Sequence, residues 1–247
     1  MAKPLQVRLQ QQVNKTMKDY GLLADGDKVL IGLSGGKDSL ALVTFLAERM
    51  KVYKPRFSVV ATHISVDNVP YSADIDYLRQ FCEERNVPFV HEHTQFDTDE
   101  ERQKNVCFLC SWYRRKKLFQ IAQELQCNKI ALGHHRDDLF ETLLMNMIFQ
   151  GTIATMPPRL QMEKFPVTII RPMAKLAEEE LREYAEELQF KKMNKNCPFE
   201  HESNRSQVRR LVEEMKAMHP EASASLWNCM ENVKADYLPQ PLKQTEQ

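Results

Sequence analysis

The sequence predicts an α/β protein: a doubly wound, mostly parallel five-stranded sheet followed by a helical C-terminal extension. Three observations carry this. From Lys28 to Leu176, short apolar runs rich in Val and Ile alternate with stretches of helical period, the pattern of a parallel sheet covered on both faces. A polar glycine-rich turn, Ser34-Gly35-Gly36-Lys37-Asp38-Ser39, falls between the first such run and the helix after it. Beyond Leu176 only helical periodicity remains.

Leu5, Leu9, Val13 and Met17 recur every four residues and predict an amphipathic helix ahead of the sheet. Lys28 to Leu33 is the first strand and Leu40 to Glu48 the helix that follows the turn. Phe57 to Ile64 is the second strand, Asp74 to Arg85 a helix, and Pro88 to His91 a short third strand. A polar stretch from Thr94 to Asn105 interrupts the alternation before a strong helix over Ser111 to Leu125. Lys129 to Gly133 is the fourth strand and Asp137 to Phe149 its helix. Thr168 to Arg171, stopped by Pro172, is the fifth strand. Helices over Glu178 to Gln189, Arg205 to Met218 and Ala222 to Lys234 complete the chain, and the Pro-rich tail from Leu238 reads as frayed. The expected organisation is an N-terminal helix (1–25), an α/β nucleotide domain (26–176), a helical part (177–236) and a tail (237–247).

The chain has 247 residues, 43% of them apolar, enough for a full core. Its 34 basic and 34 acidic residues cancel, so any surface for a polyanion must be local. No run approaches the ~18 apolar residues of a membrane span, and the start, MAKPLQVRLQQQVNK, lacks the apolar core of a secretion signal. The expected location is the cytoplasm, with no membrane partner. There, six cysteines point to metal binding, catalysis or burial rather than disulfides.

The turn after the first strand has the makings of an anion site. Unpaired N–H groups and the positive end of the helix dipole converge on it. Gly35 and Gly36 allow close approach of phosphate oxygens, Ser34 and Ser39 add hydroxyls, and Lys37 adds a charge. It is not the usual P-loop, which requires Gly where Ile31 stands and Ser or Thr where Asp38 stands. Asp38 would repel a phosphate unless Mg²⁺ lay between them. The order SGGKDS resembles the signature of the PP-loop ATP pyrophosphatases, which split ATP into AMP and pyrophosphate and adenylate a substrate. The bland reading is a glycine-rich βα turn with no ligand.

In a doubly wound sheet, ligands sit at the carboxyl ends of the strands. That rule gathers SGGKDS, the segment His63 to Asn68, Gly133-His134-His135-Arg136-Asp137-Asp138, and Arg171-Pro172 on one rim. His63 and Gly133 join the turn as candidate nucleotide contacts. Asp137 and Asp138 also stand at a helix N-terminus, where one is expected to cap and the other to remain for chemistry.

Cys107-Phe108-Leu109-Cys110 precedes the basic run Arg114-Arg115-Lys116-Lys117. Two thiolates at that spacing grip one metal or form a redox disulfide. Cys197 is a third plausible ligand. Zinc wants four ligands in a closed site, whereas three thiolates suit an iron–sulfur cluster with one open iron; spacing leaves both readings standing. Cys82, Cys127 and Cys229 lie in apolar-periodic surroundings and read as core thiols.

SGGKDS, CxxC with an Arg-Arg pair beyond it, LGHHRDD, MPPRL and IIRP occur in the order found in the tRNA 2-thiocytidine synthetases, and the chain resembles that family from Leu5 to Val233. The resemblance implies the adenine-nucleotide α-hydrolase type of fold. It also implies sulfur insertion at C2 of the cytidine at position 32 of tRNA, with ATP, Mg²⁺ and a [4Fe–4S] cluster. It assigns cluster ligation to Cys107 and Cys110, with Cys197 as the third ligand. Around Cys197 the sequence Pro198-Phe199-Glu200-His201-Glu202 departs from the family's Gly-Ser-Gln type stretch. Arg114 and Asp137 fall where related thiolases hold a cation and an acid for activation and proton transfer, and Asp38 falls where Mg²⁺ would bridge to the phosphates. A sulfur donor such as a cysteine desulfurase is implied as partner, and a homodimer is compatible with the resemblance.

For tRNA, the candidate basic surfaces are Arg114 to Lys117 and the face holding Arg205 and Arg209, with Arg210 beside it. Trp112 and Tyr113 have two readings, stacking on an unpaired base or core packing. Two other functions remain: a different PP-loop enzyme, lysidine-synthetase-like or thiouridine-forming, and a non-enzymatic metal or redox-sensing module.

Overall fold

The computed structural model describes residues 4–69, 73–96, 106–192 and 204–239. Helix α1 (Leu5–Asp19) leads into β1 (Lys28–Gly32), α2 (Lys37–Met50), β2 (Ser58–Val66), α3 (Ile75–Glu83) and β3 (Phe89–Thr94). Then come α4 (Val106–Glu124), β4 (Lys129–Ala131), α5 (Arg136–Gln150), β5 (Arg159–Gln161) and β6 (Thr168–Ile170). Helices α6 (Glu178–Glu187), α7 (Asn204–Ala217) and α8 (Ala222–Glu231) follow, with a 3₁₀ turn at Ala235–Tyr237.

Among the described residues the sheet has six strands in the order β3-β2-β1-β4-β6-β5, one more than the five predicted. The additional strand, β5, is a short exposed edge that runs antiparallel to β6 in the register Leu160 to Ile169. The other strands pair in parallel. Side chains alternate across the pleat, and the two faces fill different cores. Val29, Ile31, Val59, Ala61, Ala131 and Ile170 pack with α1, α2, α3 and α6 on one face. Leu30, Val60, Ile64, Ile130 and Ile169 pack with α4 on the other.

Helix α2 is buried continuously from Ser39 to Ala47. It lies between the sheet and α6, where Phe45 stacks on Tyr184 at 4.8 Å. A helix so enclosed needs apolar residues all round, as its sequence provides. Leu40→Ala there would cost about 2–5 kcal/mol, and the phosphate-type turn stands on this rigid base. At the opposite, amino rim of the sheet, Lys129 and Asp27 form a buried ion pair at 2.8 Å, and Lys129 also donates to the Leu22 carbonyl. Helices α7 and α8 join the body through Leu139, Phe140, Ala174, Val208, Val212 and Trp227. Among the described residues no helix is long and apolar enough to cross a membrane.

Candidate active site

The crevice of a doubly wound sheet opens where the strand order reverses. Here that is between β1 and β4: the chain steps outward from β1 to β2 and β3, then returns to add β4 and β6 on the other side. The turns leaving β1 and β4 therefore face each other, and they touch. A Cβ on Gly133 would lie 3.1 Å from the carbonyl carbon and oxygen of Asp38 and 3.2 Å from the Ser39 nitrogen. Gly133 is thus a packing residue of the crevice, holding two backbones together.

The serines wind the first turn. Gly35 adopts φ +87°, and its N–H donates to Ser39 Oγ at 3.1 Å. Ser39 Oγ in turn donates to the Gly36 carbonyl at 2.9 Å, and the Gly36 N–H reaches Ser34 Oγ at 3.4 Å. Gly36 is the N-cap of α2, so the free amides of the first helical turn open onto the crevice. Lys37 Nζ lies 3.0 Å and 3.2 Å from the two Asp38 oxygens and 3.2 Å from Glu178 Oε1. Amide donors, an ammonium and a carboxylate in one turn suit a phosphate chain that carries its own divalent cation.

His63 stands inside β2, within the strand predicted over Phe57 to Ile64; β2 runs on to Val66, so the rim segment His63 to Asn68 begins in the strand rather than after it. It is buried, and its Nδ1–H donates to the Leu33 carbonyl at 2.8 Å, fixing the start of the phosphate-type turn. Burial pulls its imidazole down to about 4 despite that hydrogen bond, with Arg114 adding to the effect. Sequence reasoning missed its neighbours on β3: His91 at 5.8 Å between ring centroids, itself 4.5 Å from His93. Strand alternation places His91 and His93 on one face, and their register with His63 and Ser65 was the available signal.

At the ends of β4 and β6, Arg171 is buried. It donates from Nη1 to the Pro157 carbonyl at 2.6 Å and from Nε to His134 Nδ1 at 3.3 Å. Burial, only partly opposed by Asp138, lowers the His134 imidazole to about 4. Asp138 caps α5 by accepting the His135 N–H at 3.0 Å. Asp137, the expected remaining acid, is enclosed: it accepts the Glu178 N–H at 2.8 Å and the Lys216 ammonium at 2.8 Å. Burial opposes its ionisation, but Lys216 and the Glu178 amide outweigh that and hold its carboxyl below the usual range.

Of the arginines predicted as an RNA face, Arg205 and Arg209 are about half exposed and spend their guanidinium donors on carboxylates of α5, while Arg210 beside them is exposed. Arg205 donates to Glu141 and to Asp138, each at 2.7 Å, and Arg209 donates to Glu141 at 2.8 Å. Glu141 is 1% exposed. Asp137, Asp138 and Glu141 on α5 thus meet Arg205, Arg209 and Lys216 on α7, and this ion-pair seam docks the C-terminal helices onto the rim. Glu141, Glu178 and Lys216 were missed by sequence reasoning, although the carboxylates and cations recur with matching helical spacing.

Cys107 and Cys110 lie in the first turns of α4 itself, not ahead of the helix as predicted. Cys107 is exposed and Cys110 partly buried against Val66, Val69, Phe96 and Leu109. Cys197 lies outside the described residues, and among those described no three His, Cys, Asp or Glu side chains converge as a metal site. Cys82 and Cys127 are buried as predicted, whereas Cys229 is exposed: α8 docks through Trp227, which leaves the thiol on the outer side. The start of α4 stands at the carboxyl rim of the sheet, where Leu109 and Cys110 pack on Val66 and Val69 at the end of β2. Tyr113 packs on Phe96 at 5.8 Å, and Trp112 is exposed.

Residues 5–215 match the family of the PP-loop domain. The chain is 34% identical over 239 residues to the tRNA-cytidine(32) 2-sulfurtransferase of Chromohalobacter salexigens, covering 95% of this chain and 84% of that protein. It is 36% identical over 241 residues to the protein of the same name from Bordetella avium, covering 95% and 75%. Among solved structures, the U34-tRNA thiolase NcsA from Methanococcus maripaludis, with its [4Fe-4S] cluster, superposes with a TM-score of 0.77 at 30% identity, covering 98% of this chain and 85% of that one. The NH3-dependent NAD synthetase of Campylobacter jejuni shares the fold, with a TM-score of 0.50 at 15% identity.

Proposed function

The chain belongs to the PP-loop family, among the tRNA-cytidine(32) 2-sulfurtransferases, and from that premise we propose that it is an ATP-dependent tRNA sulfurtransferase acting on C2 of a cytidine, at position 32. The observation that carries the reading is one crevice bordered by a phosphate-type turn and by a helix that begins with two thiols.

ATP binds with its phosphates on the amides of residues 34–39 and on Lys37, which exchanges Glu178 for phosphate. Asp38 would hold Mg²⁺, which would offset the charge of the phosphates beside its carboxylate. The cytidine O2 attacks the α-phosphorus, the bond to pyrophosphate breaks, and the adenylated base acquires AMP as leaving group at C2. Sulfur then displaces AMP. Charge builds on the phosphate oxygens during the first step, and Arg114 is the cation assigned to it. Asp137 is assigned to proton transfer at the base. Its tie to Lys216 must loosen for it to accept a proton. Cys107, Cys110 and Cys197 would hold a [4Fe–4S] cluster, whose open iron supplies the sulfur atom that enters the base. A cysteine desulfurase is the class of partner that replenishes it.

The test is thiolation of transfer RNA by anaerobically purified protein with Mg-ATP and sulfide, read by mass spectrometry of the nucleosides. Expected is 2-thiocytidine, lost in Asp38→Ala while Tm and the visible spectrum persist. No thionucleoside from protein that carries iron and sulfide would refute the proposal. A thiouridine product would move the target to the base on which the archaeal neighbour acts.

A further inference from the structure

The solvated side of α4 does not look like a solvated helix face. Over its first three turns the exposed residues are Cys107, Phe108, Ser111, Trp112, Arg115 and Lys116, two per turn along one stripe. Phe108 is 58% exposed and Trp112 45%. Large apolar side chains on the open face of a helix that is otherwise well packed are the surface most worth explaining. The inner face needs neither of them: Leu109, Leu118, Phe119, Ile121 and Ala122 already fill it.

The charge along the stripe selects the partner. No acidic residue occurs in α4 before Glu124, while Arg114 to Lys117 are all cationic. Of these, Lys117 is paired with Glu92 at 2.8 Å. Lys116 holds its ammonium 5.4 Å from the centre of the Trp112 ring. Leu109 and Cys110 of α4 pack on Val66 and Val69 at the carboxyl end of β2, so the stripe begins at the rim of the sheet that holds the crevice. An aromatic plane with adjacent cations fits an unpaired base followed by its phosphate. A duplex, whose bases are stacked inside, offers only the phosphate.

We propose that Trp112, flanked by Phe108 and backed by Arg115 and Lys116, is a stacking platform for an unpaired base of the substrate RNA, next to the base that enters the crevice. This rests on the proposed tRNA substrate and adds how an unpaired loop is told from a stem. Trp112 acts in binding and positioning, not in the chemistry.

The experiment uses full-length, anaerobically purified protein and two probes: an RNA hairpin with an anticodon-type unpaired loop, and a blunt duplex of the same stem. Trp112→Ala is expected to weaken hairpin binding on the order of tenfold and to leave duplex binding unchanged. Trp112→Phe should restore most of that affinity, which a merely structural defect would not allow. Arg115→Ala should weaken both probes and lower the salt slope by about one. Hairpin binding should quench tryptophan fluorescence in the parent and not in Trp112→Phe, because the remaining Trp227 is 9% exposed. Equal hairpin affinity in parent and Trp112→Ala would overturn the inference, as would equal losses on both probes. A change in sedimentation with no change in hairpin affinity would assign the stripe to contact between copies and overturn it too. Thiolation of tRNA run in parallel separates the two proposals: product formed at normal Kd by Trp112→Ala sinks this one alone.

Discussion

Gly133 leaves little room for a side chain, because a Cβ there would stand 3.1 Å from the Asp38 carbonyl and 3.2 Å from the Ser39 nitrogen. The contact joins the ends of β1 and β4 across the crevice and sets the width of the proposed phosphate cradle. Gly133→Ala must move one backbone or the other, at a cost of about 1–3 kcal/mol. The loss should fall on nucleotide use more than on the body of the fold. A Kd for ATP raised well beyond what the drop in Tm accounts for is the expected result, measurable by calorimetry beside thermal unfolding.

The seam between α5 and α7 makes a prediction about stability. Glu141 is 1% exposed and bonded by both Arg205 and Arg209, whereas the arginine side chains are 45% and 51% exposed. Removing both cations strands a buried carboxylate, so the double change Arg205→Ala/Arg209→Ala should cost about 3 kcal/mol. Adding Glu141→Gln should recover part of that, since the neutral amide no longer needs a counter-ion. Urea unfolding of the three proteins reads the cycle. If the arginines served a solvated RNA face instead, the double change would leave unfolding almost untouched.

His63 makes stability depend on pH in a stated direction. Its imidazole is lowered to about 4 by burial in the fold, while an unfolded histidine titrates near 6.5. Between those values the unfolded chain binds more protons, so stability falls as pH drops from about 6.5 toward 4, by at most ~1.4 kcal/mol per pH unit for one proton. His134, lowered to about 4 as well, acts in the same sense. Asp137 adds a separate loss only below the ordinary carboxylate range, because its folded pKa is depressed. His63→Gln keeps a donor for Leu33 and cannot titrate. Its Tm should therefore decline less than the parent's between about pH 7 and 5.

The strands that were legible are those buried on both faces: Val29 to Ile31 and Ile130 to Ala131 are continuous apolar runs, as central parallel strands require. The strand β5 was not, because Arg159, Leu160 and Gln161 are exposed and become a strand only by pairing with β6. Leu109 on the inner side of α4 continues the helical period upstream of Ser111, so the thiol pair's place inside the helix was readable. The pairing of Arg205 and Arg209 with Glu141 was not readable from α7 alone. A basic helix face looks the same whether water or Glu141 lies against it, and only tertiary packing decides.

The last prediction separates the proposed cluster ligands from the other thiols. Cys107→Ala, Cys110→Ala and Cys197→Ala should each abolish thiolation and the visible absorption of anaerobic protein, since two thiolates are too few for a cluster with an open iron. Cys82→Ala and Cys127→Ala should cost only modest stability, because those buried thiols behave as small hydrophobes. Cys229→Ala should cost still less, its thiol being exposed. Cys197 is the decisive case, as its surroundings depart from the family's pattern. If Cys197→Ala kept full activity and absorption while Cys229→Ala lost both, the third ligand would be reassigned and the enzyme class would stand. Full activity in all six single variants would refute the cluster itself.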